Sequence, residues 1–145
     1  MADRVILLVE DNPDDEILTL RALKKNNITN EVIVVRDGPQ ALDFLFCTGA
    51  YAKRDPANKP GLILMDLRLP KVDGMEVLRR MHADERTSSL PVIILTSSNA
   101  DKDIVDSIKY GAIAYMQKPV NLMQFMQAVR RLGLYLLVLS ETPHL

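Results

Sequence analysis

Four short apolar stretches of this chain each run into residues able to do chemistry. VILLVE (Val5 to Glu10) closes on Glu10 and Asp11, LILMD (Leu62 to Asp66) on Asp66, and VIILTS (Val92 to Ser97) on Thr96 and Ser97. AIAYMQ (Ala112 to Gln117) is followed by Lys118 and Pro119. Three carboxylates brought together at one edge would repel one another strongly where water is scarce. A hard divalent cation relieves that repulsion, and carboxylates completed by waters and a phosphate suit Mg2+. A lysine and a hydroxyl beside the metal suit an anionic group. The set therefore fits phosphoryl chemistry, with an aspartate nucleophile, a metal, and a lysine to hold the equatorial oxygens.

These residues meet only if the runs are neighbouring strands pointing the same way. The runs, with EVIVV (Glu31 to Val35) as a fifth, are short, β-branched-rich and continuous rather than alternating. That pattern belongs to parallel strands covered on both faces. Helix-period segments separate them. Asn12 can cap the first helix, Pro13 fits its first position, and Asp14, Asp15 and Glu16 suit the positive end of its dipole. Ile17, Leu20 and Leu23 are expected inward. A second helix is expected over Gln40 to Phe46 and a third over Gly74 to Ala83, burying Val77, Leu78 and Met81. The fourth covers Ala100 to Tyr110, with Ile104, Val105 and Ile108 inward and Gly111 as its stop. A fifth begins near Asn121, with Leu122, Phe125, Met126 and Val129 on one stripe. Five such units in series imply an α/β fold, a doubly wound five-stranded parallel sheet with helices on both faces. Ligands of such sheets bind at the carboxyl ends of the strands. GAYAKRDPANKPG (Gly49 to Gly61) reads as one long surface loop.

The bulk properties agree. A chain of 145 residues with 48% apolar content fits one globular domain. Lys plus Arg is 18 and Asp plus Glu is 19, a net charge of −1, which argues against a nucleic-acid binder. Cys47 is the sole cysteine, so no internal disulfide can form and a reducing cytoplasm is the expected compartment. No apolar run approaches the roughly 20 residues of a membrane span, and the N-terminus lacks a signal-peptide pattern.

In this order and spacing, VEDNPDD, LILMDLRLPKVDGMEVL, VIILTSS and YMQKPV resemble the receiver domain of bacterial two-component response regulators. The resemblance spans about Arg4 to Arg131, so residues 1–131 are expected to form the domain and 132–145 an apolar extension and tail. It implies the flavodoxin-like strand order 2-1-3-4-5, an order carried over from the family. It makes Asp66 the phosphoacceptor, Asp11 a direct Mg2+ ligand, and Glu10 the neighbouring acid that holds the metal through water. Arg68 would supply a backbone carbonyl to the metal. Thr96 would be the hydroxyl that swings toward the phosphoryl group, Lys118 the cation, and Tyr115 the aromatic switch, with a cis bond between Lys118 and Pro119. The Glu10–Asp11 pair stands where many receivers carry two aspartates, a change expected to shift metal geometry and not to abolish binding. The phosphoryl donor would be a sensor histidine kinase.

Taken singly, these residues have plainer readings. Strand-end acids are commonly helix caps, Lys118–Pro119 could be a loop, and Tyr115 an edge-buried aromatic. Asp73–Gly74 reads as turn chemistry, His82 and His144 as solvated, and Cys47 as a small core residue. Three other functions compete with this reading. A haloacid-dehalogenase-like phosphatase also uses a strand-end Asp with Mg2+, but needs an acid two residues on, where this chain has Arg68. A degenerate receiver serving only as an interaction module would not need Glu10, Asp11, Asp66, Thr96 and Lys118 together. No phosphate-binding glycine loop of a nucleotide site is present. Few residues follow Arg131, so the expected form is a stand-alone regulator that acts through a protein contact, not an enzyme with its own substrate. The long loop and the tail RRLGLYLLVLSETPHL resemble regulators paired with bacterial phytochromes. From Leu132 to Leu139 every residue except Gly133 is apolar, which points to a homodimer through the last helix and tail. No membrane partner is expected.

Overall fold

The computed structural model describes residues 4–131 apart from 26, 119, 120, 122 and 129. Its centre is a parallel sheet of β1 (Ile6–Val9), β2 (Val32–Val35), β3 (Leu62–Met65), β4 (Val92–Thr96) and β5 (Ala114–Gln117). The spatial order is β2-β1-β3-β4-β5, as the resemblance implied. Each strand is a residue or two shorter than its apolar run; Glu10, Glu31, Asp66 and Ser97 fall outside the strands, as do Val5, Ala112 and Ile113. Ile6, Leu7, Leu8 and Val9 are all buried, as are Leu62 to Met65 and Val92 to Thr96. Successive strand side chains point to opposite faces, so a continuous apolar strand feeds two cores. Leu7, Val9, Ile63, Met65, Val92 and Ile94 pack on one face with Phe44, Val77, Leu78 and Met81. Ile6, Leu8, Leu62, Leu64, Ile93 and Leu95 pack on the other with Ala22, Leu23 and Phe125.

The helices are α1 (Pro13–Lys25), α2 (Gly38–Phe46), α3 (Gly74–His82), α4 (Asp101–Lys109) and α5, helical at 123–128 and 130–131. Their starts follow capping chemistry. Asn12 Oδ1 accepts the backbone N–H of Asp14 at 2.9 Å and of Asp15 at 3.1 Å. The second helix begins two residues before the expected Gln40, because Asp37 caps it and Pro39 fits its first turn. Asp73 is likewise an N-cap and more than a turn residue, accepting the Glu76 N–H at 3.0 Å. Gly111, at φ +94°, ends α4 as expected.

Two helix faces differ from expectation. On α1, Leu23 is buried and Leu20 half-buried as expected, but Thr19 and Ala22 are buried with them while Ile17 is exposed. On α4 the buried residue is Ser107, Ile104 is half-buried, and Val105 and Ile108 are 63% and 52% exposed. Hydropathy favoured the larger side chains, but small residues let a helix approach the sheet. Ser107 satisfies its hydroxyl within the helix by donating to the Ile104 carbonyl at 2.9 Å. Phe125 is buried and Met126 half-buried, as expected of α5. Leu122, Val129, Pro119 with its bond to Lys118, and the tail from Leu132 lie outside the described residues.

The long loop is more ordered than its composition suggested. It opens with a 3-10 turn (Gly49–Tyr51) and is tied down by Arg54. The Arg54 guanidinium lies 4.4 Å from the Phe44 ring centre. It donates to the carbonyls of Phe44 at 2.9 Å, Leu45 at 3.4 Å and Asn58 at 2.7 Å. It thereby satisfies carbonyls that the C-terminus of α2 leaves open. Cys47 is only half-buried and caps that helix in the left-handed region at φ 56°, so it is not the core residue expected.

Gly74 explains part of the turn chemistry after β3. Its N–H donates to the Leu67 carbonyl at 2.8 Å, and a Cβ there would stand 2.2 Å from the Asp66 carbonyl oxygen. The obstacle is backbone, which cannot rotate away. Gly74→Ala should therefore cost about 2–3 kcal/mol of stability, read from urea unfolding at constant slope. A change within experimental error would contradict this packing.

Candidate functional site

The ladder itself aligns the strand-end residues. Val9 pairs with Met65, so Glu10 and Asp66 emerge side by side, and Thr96 pairs with Gln117, so Lys118 follows next to them. Backbone hydrogen bonds continue the register one residue past each strand. Glu10 N–H donates to Val35 O at 3.0 Å, Asp66 N–H to Val9 O at 3.1 Å, and Lys118 N–H to Thr96 O at 2.7 Å. Strand β3 ends at Met65 and Asp66 follows it at this edge, held by the β3–α3 turn. Arg68 is exposed, and its N–H donates to Asp66 Oδ1 at 3.0 Å.

Glu10, Asp11 and Asp66 each bring a carboxylate oxygen within 4.8 Å of the others. Glu10 and Asp66 are buried and Asp11 is exposed. The Lys118 ammonium occupies the centre. It donates to Glu10 Oε1 at 2.6 Å, to Asp66 Oδ2 at 2.8 Å and to Asp15 Oδ2 at 2.8 Å. Burial alone would favour a neutral lysine, but the bonds to Asp15, Asp66 and Glu10 outweigh it and hold the ammonium above its ordinary range. Glu10 goes the other way. Its burial lifts it above the usual carboxylate range even though Lys118 and the Asn12 N–H pull it down. One ammonium bonds to Glu10, Asp15 and Asp66, with Asp11 in the same carboxylate cluster, so the site carries surplus negative charge. An all-oxygen, acid-rich cluster of this kind fits a hard divalent cation.

The remaining expected residues sit along one path. Thr96 is fully buried, and its hydroxyl oxygen accepts the Ser98 N–H at 3.5 Å. The Tyr115 hydroxyl donates to the Ser98 carbonyl at 2.6 Å, and burial raises its pKa. Ser98 Oγ in turn donates to Asp103 Oδ2 at 2.5 Å, in the first turn of α4. The structure thus brings Glu10, Asp11, Asp66 and Lys118 together, and joins Thr96 to Tyr115 through one backbone unit. Sequence reading missed Asp15, assigned only to the helix dipole, and missed Ser98 and Asp103. The spacing of Asp15 from Asn12 was the available signal, since it puts both in the first turn of α1.

The pattern of the Response regulator receiver domain matches residues 6–130. This chain belongs to that family. Response regulator Rcp1 of Synechocystis sp. is 38% identical over 127 residues, covering 88% of this chain and 84% of Rcp1. Its Mn2+-bound crystal structure superposes with a TM-score of 0.75 over 87% of this chain and 88% of that one. The phosphorylated cyanobacterial phytochrome response regulator RcpA is 38% identical, with a TM-score of 0.78 over 94% and 95% of the two chains. The bacteriophytochrome response regulator AtBRR is 48% identical, with a TM-score of 0.79 over 92% and 94%. The chain is therefore a phosphorylation-dependent signalling domain of the two-component type, whose partner class is the histidine kinase. Divalent metal binding occurs within the family, as in Rcp1, and the acidic cluster here fits it. No described helix is long and apolar enough to cross a membrane.

Removing the central cation tests the charge balance of this receiver. Lys118→Met should destabilise the metal-free protein by about 3–5 kcal/mol, because buried carboxylates lose their partner. A divalent cation should then recover more stability in the variant than in the wild type. Thermal unfolding with chelator and with Mg2+ measures both; equal metal-free stabilities would contradict the arrangement.

Proposed function

We propose that Asp66 is the phosphoacceptor. The observation that carries this reading is the Lys118 ammonium 2.8 Å from Asp66 Oδ2, beside the Glu10–Asp11–Asp66 cluster. An Asp66 oxygen attacks the phosphorus of a phosphohistidine on the sensor kinase. A P–O bond forms as the P–N bond breaks, and the imidazole leaves with the electron pair. Lys118 moves one N–H from the Asp66 carboxylate to a phosphoryl oxygen. Asp11, Asp66 and the Arg68 backbone carbonyl would hold Mg2+, with Glu10 holding it through water, and the bound ion would neutralise charge building on the phosphoryl oxygens. The domain has no substrate beyond its own phosphoryl group, gained and lost.

Thr96 and Tyr115 form the switch. Both meet the backbone of Ser98, one at its N–H and one at its carbonyl. When the Thr96 hydroxyl turns to the phosphoryl group, the Ser98 N–H loses its partner and the anchor of Tyr115 shifts. That changes the surface of α4 and β5, and the output is a protein contact. Residues 1–131 form the receiver unit in this reading and 132–145 its extension. Similarity to RcpA and AtBRR supports a phytochrome as the kinase, and the lone cysteine supports a cytoplasmic setting.

Incubation with a small phosphodonor and Mg2+ should add one phosphoryl group, and chelator should prevent it. Asp66→Asn should not be labelled; intact-mass measurement showing normal labelling would refute the assignment. We also propose a homodimer through α5 and the extension, supported by the apolar run Leu132 to Leu139. Sedimentation of the full chain should show a dimer at micromolar concentration, and a chain cut after Arg131 a monomer. Two monomers, with and without phosphorylation, would refute it.

A further inference from the structure

Lys118 has three N–H donors, and Glu10, Asp66 and Asp15 accept one each. Two of these acceptors have other work in the phosphoacceptor reading, on which this inference rests. Glu10 and Asp66 belong to the carboxylate cluster that fits a cation, whereas Asp15 does not. Asp66 also loses its carboxylate charge once its oxygen carries a phosphoryl group. A lysine left with neither would have four flexible carbons and no fixed position.

Asp15 is placed to prevent that. It stands in the first turn of α1, on a different element from the strand-end acids Glu10 and Asp66. Asn12 Oδ1 holds its backbone N–H at 3.1 Å. An acid serving only the helix dipole would face water, as Asp14 does. The Asp15 side chain instead turns inward, 29% exposed, and meets an ammonium that is 10% exposed. We infer that Asp15 is a positioning residue that keeps the Lys118 ammonium over the phosphoryl site when Glu10 and Asp66 turn to other partners. Pre-placing the cation removes the need to recruit it during transfer.

The test compares full-length wild type, Asp15→Ala and Asp15→Asn at saturating Mg2+ with phosphoramidate as donor. The alanine variant should be phosphorylated about tenfold more slowly, the worth of one charge-assisted hydrogen bond. The asparagine variant still offers an acceptor oxygen and should stay within about threefold of wild type. The Mg2+ midpoint of thermal stabilisation in Asp15→Ala should shift far less than in Asp11→Asn. The 15N-labelled lysine spectrum should show a slowly exchanging Lys118 ammonium in wild type and lose it in Asp15→Ala. A wild-type rate with an unchanged ammonium signal would overturn the inference. So would a loss of Mg2+ response equal to that of Asp11→Asn, which would make Asp15 a metal-site acid. An unlabelled wild type would overturn the phosphoacceptor reading instead, while the ammonium signal would still report whether Asp15 holds Lys118.

Discussion

The organising constraint of this receiver is the excess of carboxylate over ammonium at one sheet edge. A single half-buried cation at Lys118 meets acids from the first turn of α1 and from the ends of β1 and β3. The backbones of Glu10 and Asp66 are held by hydrogen bonds that continue the strand register. Asp15 is fixed by the cap that starts α1. The sheet thus stabilises an arrangement that electrostatics alone would disperse. Such an edge is incomplete by construction, and it gains by accepting a cation. Charge imbalance of this kind is costly in a protein that must merely stay folded, and useful in one that must respond.

The rest of the fold keeps the edge rigid. Two separate cores lie on opposite faces of one thin sheet, each fed by alternate residues of the same strands. Neither core includes the strand-end acids. Tyr115 packs against one of these cores, so the strand-end site and the packing beneath it are in contact. Gly74 lets the turn after β3 pack with backbone against backbone.

Much of this was legible in the sequence. Continuous apolar runs with polar ends gave five strands, and their terminal residues gave Glu10, Asp11, Asp66 and Lys118. Where reading failed, the failure had a physical cause. Val105 and Ile108 were expected inward because they are large, yet Ser107 is buried because it is small and bonds to its own helix. Ile17 lost to Thr19 and Ala22 for the same reason of close approach. Asp15 was invisible as a site residue because a helix-start acid needs no second role, and its partner lies 103 residues away. Arg54 looked like loop polarity because the carbonyls it satisfies belong to the helix before the loop.

The pinning of that loop has a consequence for recognition. Arg54 fastens it at the amino ends of the strands, across the sheet from Asp66, and none of its hydrogen bonds involves a residue of the carboxylate cluster. The molecule thus keeps that loop pinned at the end opposite its carboxylate cluster. Substitutions in the loop can alter the contour of one end while the charge arrangement at the other stays as it is.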